Sequence, residues 1–278
     1  MSPVQKAVWY VESHWREAMT LEDVAQACHV SPYHLTRAFA ASLGLSLMRY
    51  VRARRLSNAA KLLAQGARDI LSVALDAGYG SHEAFTRAFR DQFNLTPEEV
   101  RAQGHFNNLQ LTEPMTMNAP PETELAPPRF ETTPGPVRFV GLSERYNCQA
   151  VDGIPDQWQR FAPHIGRIPG QKGMVAYGVC HNFDGEGFFE YVCAVEVTGP
   201  AEPPRGLISL EVGPQKYAVF THRGHIAGIR FTFAAIWNTW FPESGHKAAP
   251  AATLERYGPE FNPATGLGGV EIWVPVVA

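Results

Sequence analysis

The chain has 278 residues, 45% of them apolar and 18% charged, with a formal net charge of −3; this predicts a globular protein of two domains with a real core, and the net charge taken alone argues against nucleic acid. No apolar run approaches the ~20 residues needed to cross a bilayer, and Met1 to Lys6 has no apolar signal core, so no membrane partner and a cytoplasmic location are expected. Cys28, Cys148, Cys180 and Cys193 lack a C-x-x-C pair, which predicts reduced, mostly buried thiols, no metal site and no cofactor.

Apolar periodicity predicts helices over 4–17, 21–27, 32–43, 46–64, 69–77, 81–93 and 97–103. Ser31-Pro32 reads as an N-cap with proline at the first helical position, and Thr96-Pro97-Glu98-Glu99 adds a capping-box glutamate. Gly44 and Asn94 close equivalent helices with residues that tolerate a left-handed conformation. The net charge hides an asymmetry, because the first 110 residues carry twelve Lys/Arg against ten Asp/Glu. Arg49, Arg52, Arg54, Arg55 and Lys61 fall on one predicted helix, which suits either phosphate contact or a solvated face.

From Gly104 to Pro136 the periodicity dissolves among prolines, so 105–136 reads as an interdomain linker. Beyond it, strands are predicted over 137–145, 173–182, 188–197, 207–212, 217–222, 253–257 and 270–276, with helices over 154–165 and 226–241. The expected fold class is an all-α N-terminal domain over 1–104, with two helix-turn-helix units joined by a long helix. An α+β domain of two similar strand-helix-strand-strand halves follows over 137–278.

The two predicted units carry a repeat: Ser31 to Phe39 and Ser81 to Phe89 share the Ser and the Thr-Arg-Ala-Phe block in one register. In the first copy Leu35, Ala38, Phe39 and Leu43 form the apolar stripe, leaving Tyr33, Thr36 and Arg37 outward; in the second, Phe85, Ala88, Phe89 and Phe93 leave His82, Glu83, Thr86 and Arg87 outward. Arginine can hold guanine bidentately, and threonine and tyrosine offer hydrogen bonds and methyl contact, so these outward sets suit base edges of double-stranded DNA. Glu83 fits only by accepting from a cytosine amino group, since phosphate repels a carboxylate.

Residues 5–103, and above all the run Ala74 to Arg101, resemble the DNA-binding domain of AraC/XylS transcription regulators. Asn94 stands where that family usually has glycine, and Val100 where an aromatic is common. The resemblance implies base-reading roles for Tyr33, Thr36, Arg37, His82, Glu83, Thr86 and Arg87, and RNA polymerase as a partner. The segments Tyr217 to Gly224, Ile236 to Gly245, Leu254 to Tyr257 and Val270 to Pro275 resemble the GyrI-like small-molecule-binding domain. That resemblance implies an effector pocket.

On the last predicted strand Glu271 and Trp273 share the face opposite Val270, Ile272 and Val274, an arrangement that suits an acid in an aromatic-walled cavity for an apolar or cationic ligand. The resemblance implies such a pocket, and transferred to this sequence it makes Glu271 and Trp273 the first candidates, with Tyr177, Trp237, Trp240 and Tyr257 as walls and Glu255 and Glu190 as further acids. Taken singly, each aromatic also reads as core and Glu271 as solvent-facing. The functional reading is a non-enzymatic, ligand-modulated DNA-binding transcription regulator. Hydrolysis of a reactive electrophile with glutamate as general base, and sequestration of a toxic compound, remain alternatives.

Overall fold

The first hundred residues form helices α1 (Pro3–His14), α2 (Leu21–Cys28), α3 (Pro32–Leu43), α4 (Leu47–Ala64), α5 (Ile70–Asp76), α6 (His82–Phe93) and α7 (Pro97–Gln103). They belong to a computed structural model that describes residues 1–67, 69–115, 125–148, 150–199 and 202–277. Their ends sit where short polar side chains can take up the orphan N–H groups of a first turn. Thr20 and Thr96 each form a capping box with the residue three positions on, Asp23 and Glu99. Ser46, Asp69 and Ser81 cap α4, α5 and α6 through their side-chain oxygens. Asn94 and Gly44 are both left-handed, with φ of 55° and 67°.

Packing divides the chain into two units. The first holds Met1, Gln5–Pro32 and Ser46–Ala119; the second holds Ser2–Val4, Tyr33–Leu45 and Pro120–Ala278, so α3 belongs to the second unit. In the first unit Leu56, Ala59, Ala60 and Leu63 of α4 meet Ile70, Val73 and Ala74 of α5 and a stack of Phe85, Phe89 and Phe93 on α6. The three phenylalanines pack ring to ring, with centroids 5.4 and 4.8 Å apart. Gly78, at φ 83°, lets the Arg55 guanidinium cross its backbone, since a Cβ there would lie 2.7 Å from Arg55 Nη1.

Two expectations are corrected here. The stretch expected to be a structureless linker starts packed: Phe106, Leu109 and Leu111 join the α-helical core, and Thr112 N donates to Ser57 Oγ at 2.9 Å. It also contains a strand, β1 (Arg129–Thr132), whose four residues are all exposed and gave no alternating pattern. Residues 116–124 of that stretch lie outside the described residues. The second correction concerns the basic residues of α4. Arg54 is bound by Glu12 at 2.9 and 3.0 Å and by the Thr112 carbonyl at 2.8 Å, and Arg55 donates to the carbonyls of Trp15 and Glu17. Both fasten the helices and are not spare charges for phosphate. Lys61 pairs with Glu113 at 3.1 Å.

The second unit is an eight-stranded antiparallel sheet with helices. After β1 come β2 (Val137–Asn147), α8 (Ile154–Phe161), β3 (Gln171–His181), β4 (Phe188–Val197), β5 (Ile208–Val212) and β6 (Lys216–His222). Then come α9 (Ile229–Ala235), a π-helical stretch Ile236–Trp240, α10 (Phe241–Ser244), β7 (Thr253–Tyr257) and β8 (Val270–Val276). The sheet order is β1-β6-β8-β7-β3-β4-β2-β5. The run β2-α8-β3-β4 is thus mirrored by β6-α9-β7-β8, and the halves join where β3 pairs with β7. Both faces of the sheet are covered. Tyr146, Cys180, Tyr191, Cys193 and Val195 pack with Phe161 of α8 on one side, and Phe139, Val179, Val192, Tyr217 and Leu254 form a core on the other. Two buried faces account for strands such as β4 that read as nearly continuous apolar runs. Among the described residues no helix is long and apolar enough to cross a membrane.

The Arg54–Glu12 pair yields a stability prediction. Glu12→Ala leaves a mostly buried guanidinium without its carboxylate, and should destabilise the helical unit by about 3 kcal/mol, the lower end for a broken buried pair, read by chemical denaturation. Burial raises the Glu12 carboxyl, but hydrogen bonds from Arg54 and Tyr50 bring it below the usual carboxylate range. Its contribution is therefore present above pH ~4.5 and lost as pH falls through the lowered value, a loss the variant should not show.

Candidate functional site

The seven residues expected to read bases fall in two different environments. On α6, His82, Glu83, Thr86 and Arg87 line one shallow depression together with Arg90, Asp91 and Thr96. The helical repeat, with Phe85 and Phe89 fully buried, turns this face outward. Glu83 is held below the usual carboxylate range, first by a backbone N–H at the helix start and then by the Ser81 hydroxyl. His82 Nε2 lies 3.0 Å from Glu98 Oε1. Thr86 has its hydroxyl buried with no hydrogen-bond partner among the described residues.

On α3 the corresponding residues are covered. Thr36 and Arg37 are each only 7% exposed and Tyr33 is half-buried, all within the second unit. Arg37 Nη2 reaches Thr253 Oγ1 at 3.4 Å, and its guanidinium stands 3.7 Å from the Phe183 ring centroid. Tyr33 Oη donates to the Ala251 carbonyl at 3.1 Å. A helical wheel places these residues opposite the apolar stripe of α3, but it cannot tell solvent from a second protein surface.

The acids and aromatics expected to form an effector pocket divide between the two faces of the sheet. Glu255 is the buried acid, 7% exposed. It sits on β7 opposite Gly178 of β3, whose other partner is Cys193 of β4. Period-two alternation brings Glu255, Gly178, Cys193, Cys180 and Tyr191 to one face. Tyr191 Oη and Tyr257 Oη both donate to Glu255 Oε2, at 2.7 and 2.9 Å. Trp158 Nε1 donates to Tyr191 Oη at 3.1 Å, and the Trp158 and Phe261 rings each pack 4.9 Å from Tyr257. Gln157 anchors α8, donating to the carbonyls of Leu142 and Tyr191 at 2.8 and 2.9 Å. Trp158, Tyr257 and Phe261 are half-buried, so the rings lead from the buried carboxylate towards the surface.

Space for this arrangement is made by a missing side chain. A Cβ on Gly178 would lie 2.7 Å from Glu255 Oε2 and would overlap Tyr191 Oη. Burial raises the Glu255 carboxyl above its usual range, against the pull of the two phenols and of the Arg37 charge. The result is a carboxyl group met by neutral donors and aromatic edges, a setting in which an added cation would be favoured.

Glu271, expected as the leading acid, is already neutralised. It does share a face with Trp273, whose Nε1 donates to it at 3.1 Å, but Arg129 and Arg256 pair with it at 2.7 and 3.3 Å. Burial raises its carboxyl, yet these donors, Trp273 first, bring it below the usual range. Tyr177 belongs to this opposite face, its ring 5.1 Å from Phe139. Trp237 is fully buried beside Phe241, and Trp240 packs on Phe220 and His246. Glu190, at the end of β4, meets Asn182 and His181. Of the expected ligand residues the structure thus brings together Glu255 and Tyr257, and separately Glu271 and Trp273.

Sequence reasoning missed Trp158, Tyr191 and Phe261 beside Glu255. A signal existed for Tyr191, because Phe189, Tyr191, Cys193 and Val195 alternate on one face and only the tyrosine carries a polar tip needing a partner. Gly178 in mid-strand was a second signal, for a close approach.

A family profile described as the GyrI-like small molecule binding domain matches residues 126–277, and one described as a helix-turn-helix domain matches residues 24–103. The chain is similar to the transcriptional regulator Rob of Salmonella typhimurium, with 28% identity over 280 residues, covering 93% of this chain and 91% of that protein. It is 27% identical over 267 residues to the right origin-binding protein of Escherichia coli, covering 91% of this chain and 88% of the other. Among solved structures, that of SAV2435 bound to tetraphenylphosphonium aligns with a TM-score of 0.46 and 19% identity, covering 54% of this chain and 94% of that one.

The raised carboxyl of Glu255 predicts a stability that is full below pH ~4.5 and is lost as pH rises through the folded-state value. Glu255→Gln should remove that loss and raise the melting temperature at neutral pH, by roughly 2–4 °C for each kcal/mol relieved. Thermal melts across pH 4–9 check it; a wild-type curve parallel to the variant's would show that the carboxyl is not strained. Gly178→Ala should instead lower the melting temperature of both proteins, through overlap with Tyr191 and Glu255.

Proposed function

The chain belongs to the family of the GyrI-like small molecule binding domain, carries a helix-turn-helix domain ahead of it, and from that premise we propose that it is a transcription regulator whose effector site is centred on Glu255. Its relatives over nine-tenths of the chain bear the names of a transcriptional regulator and an origin-binding protein, and double-stranded DNA is accordingly its macromolecular ligand. We read α2–α3 and α5–α6 as two helix-turn-helix units joined by α4, with RNA polymerase as the partner through which a bound regulator acts. The boundaries of this reading are a DNA-binding domain up to residue 104 and an effector domain that begins with β1, ahead of the 137 expected from the sequence.

The observation that carries the effector assignment is a buried carboxylate whose hydrogen-bond partners are two phenols instead of a guanidinium or ammonium. An uncompensated buried charge is costly, and a ligand cation stacked among Trp158, Tyr257 and Phe261 would stabilise it while burying its own aromatic surface. An aromatic or lipophilic cation is therefore the ligand class. Glu271 does not compete for this role because Arg129 and Arg256 satisfy it. The binding site is non-catalytic in this reading; turnover of an electrophilic ester or lactam that vanished in Glu255→Gln would instead assign Glu255 as a general base.

Two measurements follow. Tetraphenylphosphonium should quench tryptophan emission saturably, and Glu255→Gln should weaken its binding by about 2 kcal/mol, the lower end for removing one partner of a buried charge pair, whereas neutral triphenylphosphine oxide should not distinguish the two proteins. The difference should grow with pH, because the raised carboxyl must lose its proton before it can attract the cation. Equal affinity at every pH would remove Glu255 from the site. Separately, Arg87→Ala should weaken binding of a sequence-selected duplex by ~1–3 kcal/mol, the worth of one bidentate base contact, as read by fluorescence anisotropy.

A further inference from the structure

The sheet face that presents Glu255 has a resident occupant, the helix α3. Thr253 and Glu255 are two residues apart on β7 and share that face, and Thr253 accepts from Arg37. The Arg37 guanidinium stands over Phe183 at 3.7 Å and lies 5.4 Å from the Trp237 centroid. Around it, Tyr33 binds the Ala251 carbonyl, His34 Nε2 lies 2.7 Å from the Trp237 carbonyl, and Asn238 Nδ2 donates to Ser42 Oγ at 2.7 Å. These contacts span α3 from its first turn to its last, and all lie within the second unit. Arg37 thus does to the protein's own rings what a ligand cation would do.

We propose that α3 is held on the effector face when no ligand is bound, and that a cation entering at Glu255 displaces it and makes Arg37 available to DNA. The inference rests on the readings of Glu255 as the effector acid and of Arg37 as a base-reading residue. A guanidinium stacked on Phe183 cannot lie in a DNA groove, so the docked and DNA-bound states exclude each other. A ligand cation beside Glu255 repels Arg37 and takes over the negative charge that Arg37 senses. That supplies the differential affinity which any ligand-driven shift requires, without a rigid lever through the linker.

The docked arrangement is also incompletely satisfied. Arg37 Nε, Trp237 Nε1 and Asn238 Oδ1 are buried with no hydrogen-bond partner among the described residues. Buried orphan groups of this kind disfavour the state that contains them, which suits a contact that has to be given up. The coupling is reciprocal, so DNA must tighten the cation by the same factor by which the cation tightens DNA.

The test uses the full chain, tetraphenylphosphonium, and a duplex enriched from a random-sequence pool. His34→Ala/Ser42→Ala loosens α3 without touching Tyr33, Thr36 or Arg37, and Asn238→Ala loosens it from the opposite side, so a folding defect in one variant does not decide the result. The cation is expected to tighten duplex binding roughly tenfold, and the duplex to tighten cation binding by the same factor. Both variants should bind the duplex more tightly without cation and gain little when it is added. If the cation binds but duplex affinity is the same in wild type and both variants, with or without it, the coupling is overturned while the ligand site stands. If the cation fails to bind, the Glu255 reading falls and the variants alone decide the docking: tighter duplex binding retains it, and unchanged binding overturns it.

Discussion

The second unit is organised around one buried carboxyl group. Glu255 sits at the seam where β3 and β7 join the two halves of the sheet, and it is tolerated there because two phenols donate to one of its oxygens. Several other features exist to accommodate it. Gly178 has no side chain because the carboxylate and a phenol fill that space. Trp158 is turned so that its indole N–H meets Tyr191, which fixes the orientation of α8 over the sheet. The carboxyl is raised by burial and would be relieved by a positive charge, and the half-buried rings of Trp158, Tyr257 and Phe261 pack beside its phenol partners.

The opposite face shows what the same residue type does when compensated. Glu271 has Arg129, Arg256 and the Trp273 indole around it and serves as a tie between β1, β7 and β8. Two glutamates on neighbouring strands therefore have unlike roles, decided by whether a guanidinium stands within reach. The helical unit repeats the contrast, where Arg54 is committed to Glu12 and a backbone carbonyl while Arg87 of α6 lies on an exposed face. Charge counted along the chain predicts neither outcome, because ion pairing consumes residues distant in sequence.

Much of the fold was legible because its signals are local. The capping box at Thr96 needs only the next three residues, and β4, β7 and β8 fall on their expected spans because the apolar runs have fixed ends. Strand β1 escaped notice because all four of its residues are exposed, so burial writes no pattern on it. The tail of the helical unit, Phe106 to Leu111, was hidden by spacing too short and irregular for any period.

The sequence by itself determined which residues form helices and strands, the Thr-Arg-Ala-Phe repeat with its inward phenylalanines, and the pairing of Glu271 with Trp273 on one side of β8. Only the tertiary structure decided which acid is buried and unpaired, which arginines are spent on internal contacts, and that α3 lies on the sheet while α6 faces outward. The physical reason is the range of the interactions concerned. Capping, helical periodicity and strand alternation act over a few residues, whereas desolvation and side-chain pairing depend on partners distant in sequence, 64 positions apart for Tyr191 and Glu255 and 216 for Arg37 and Thr253.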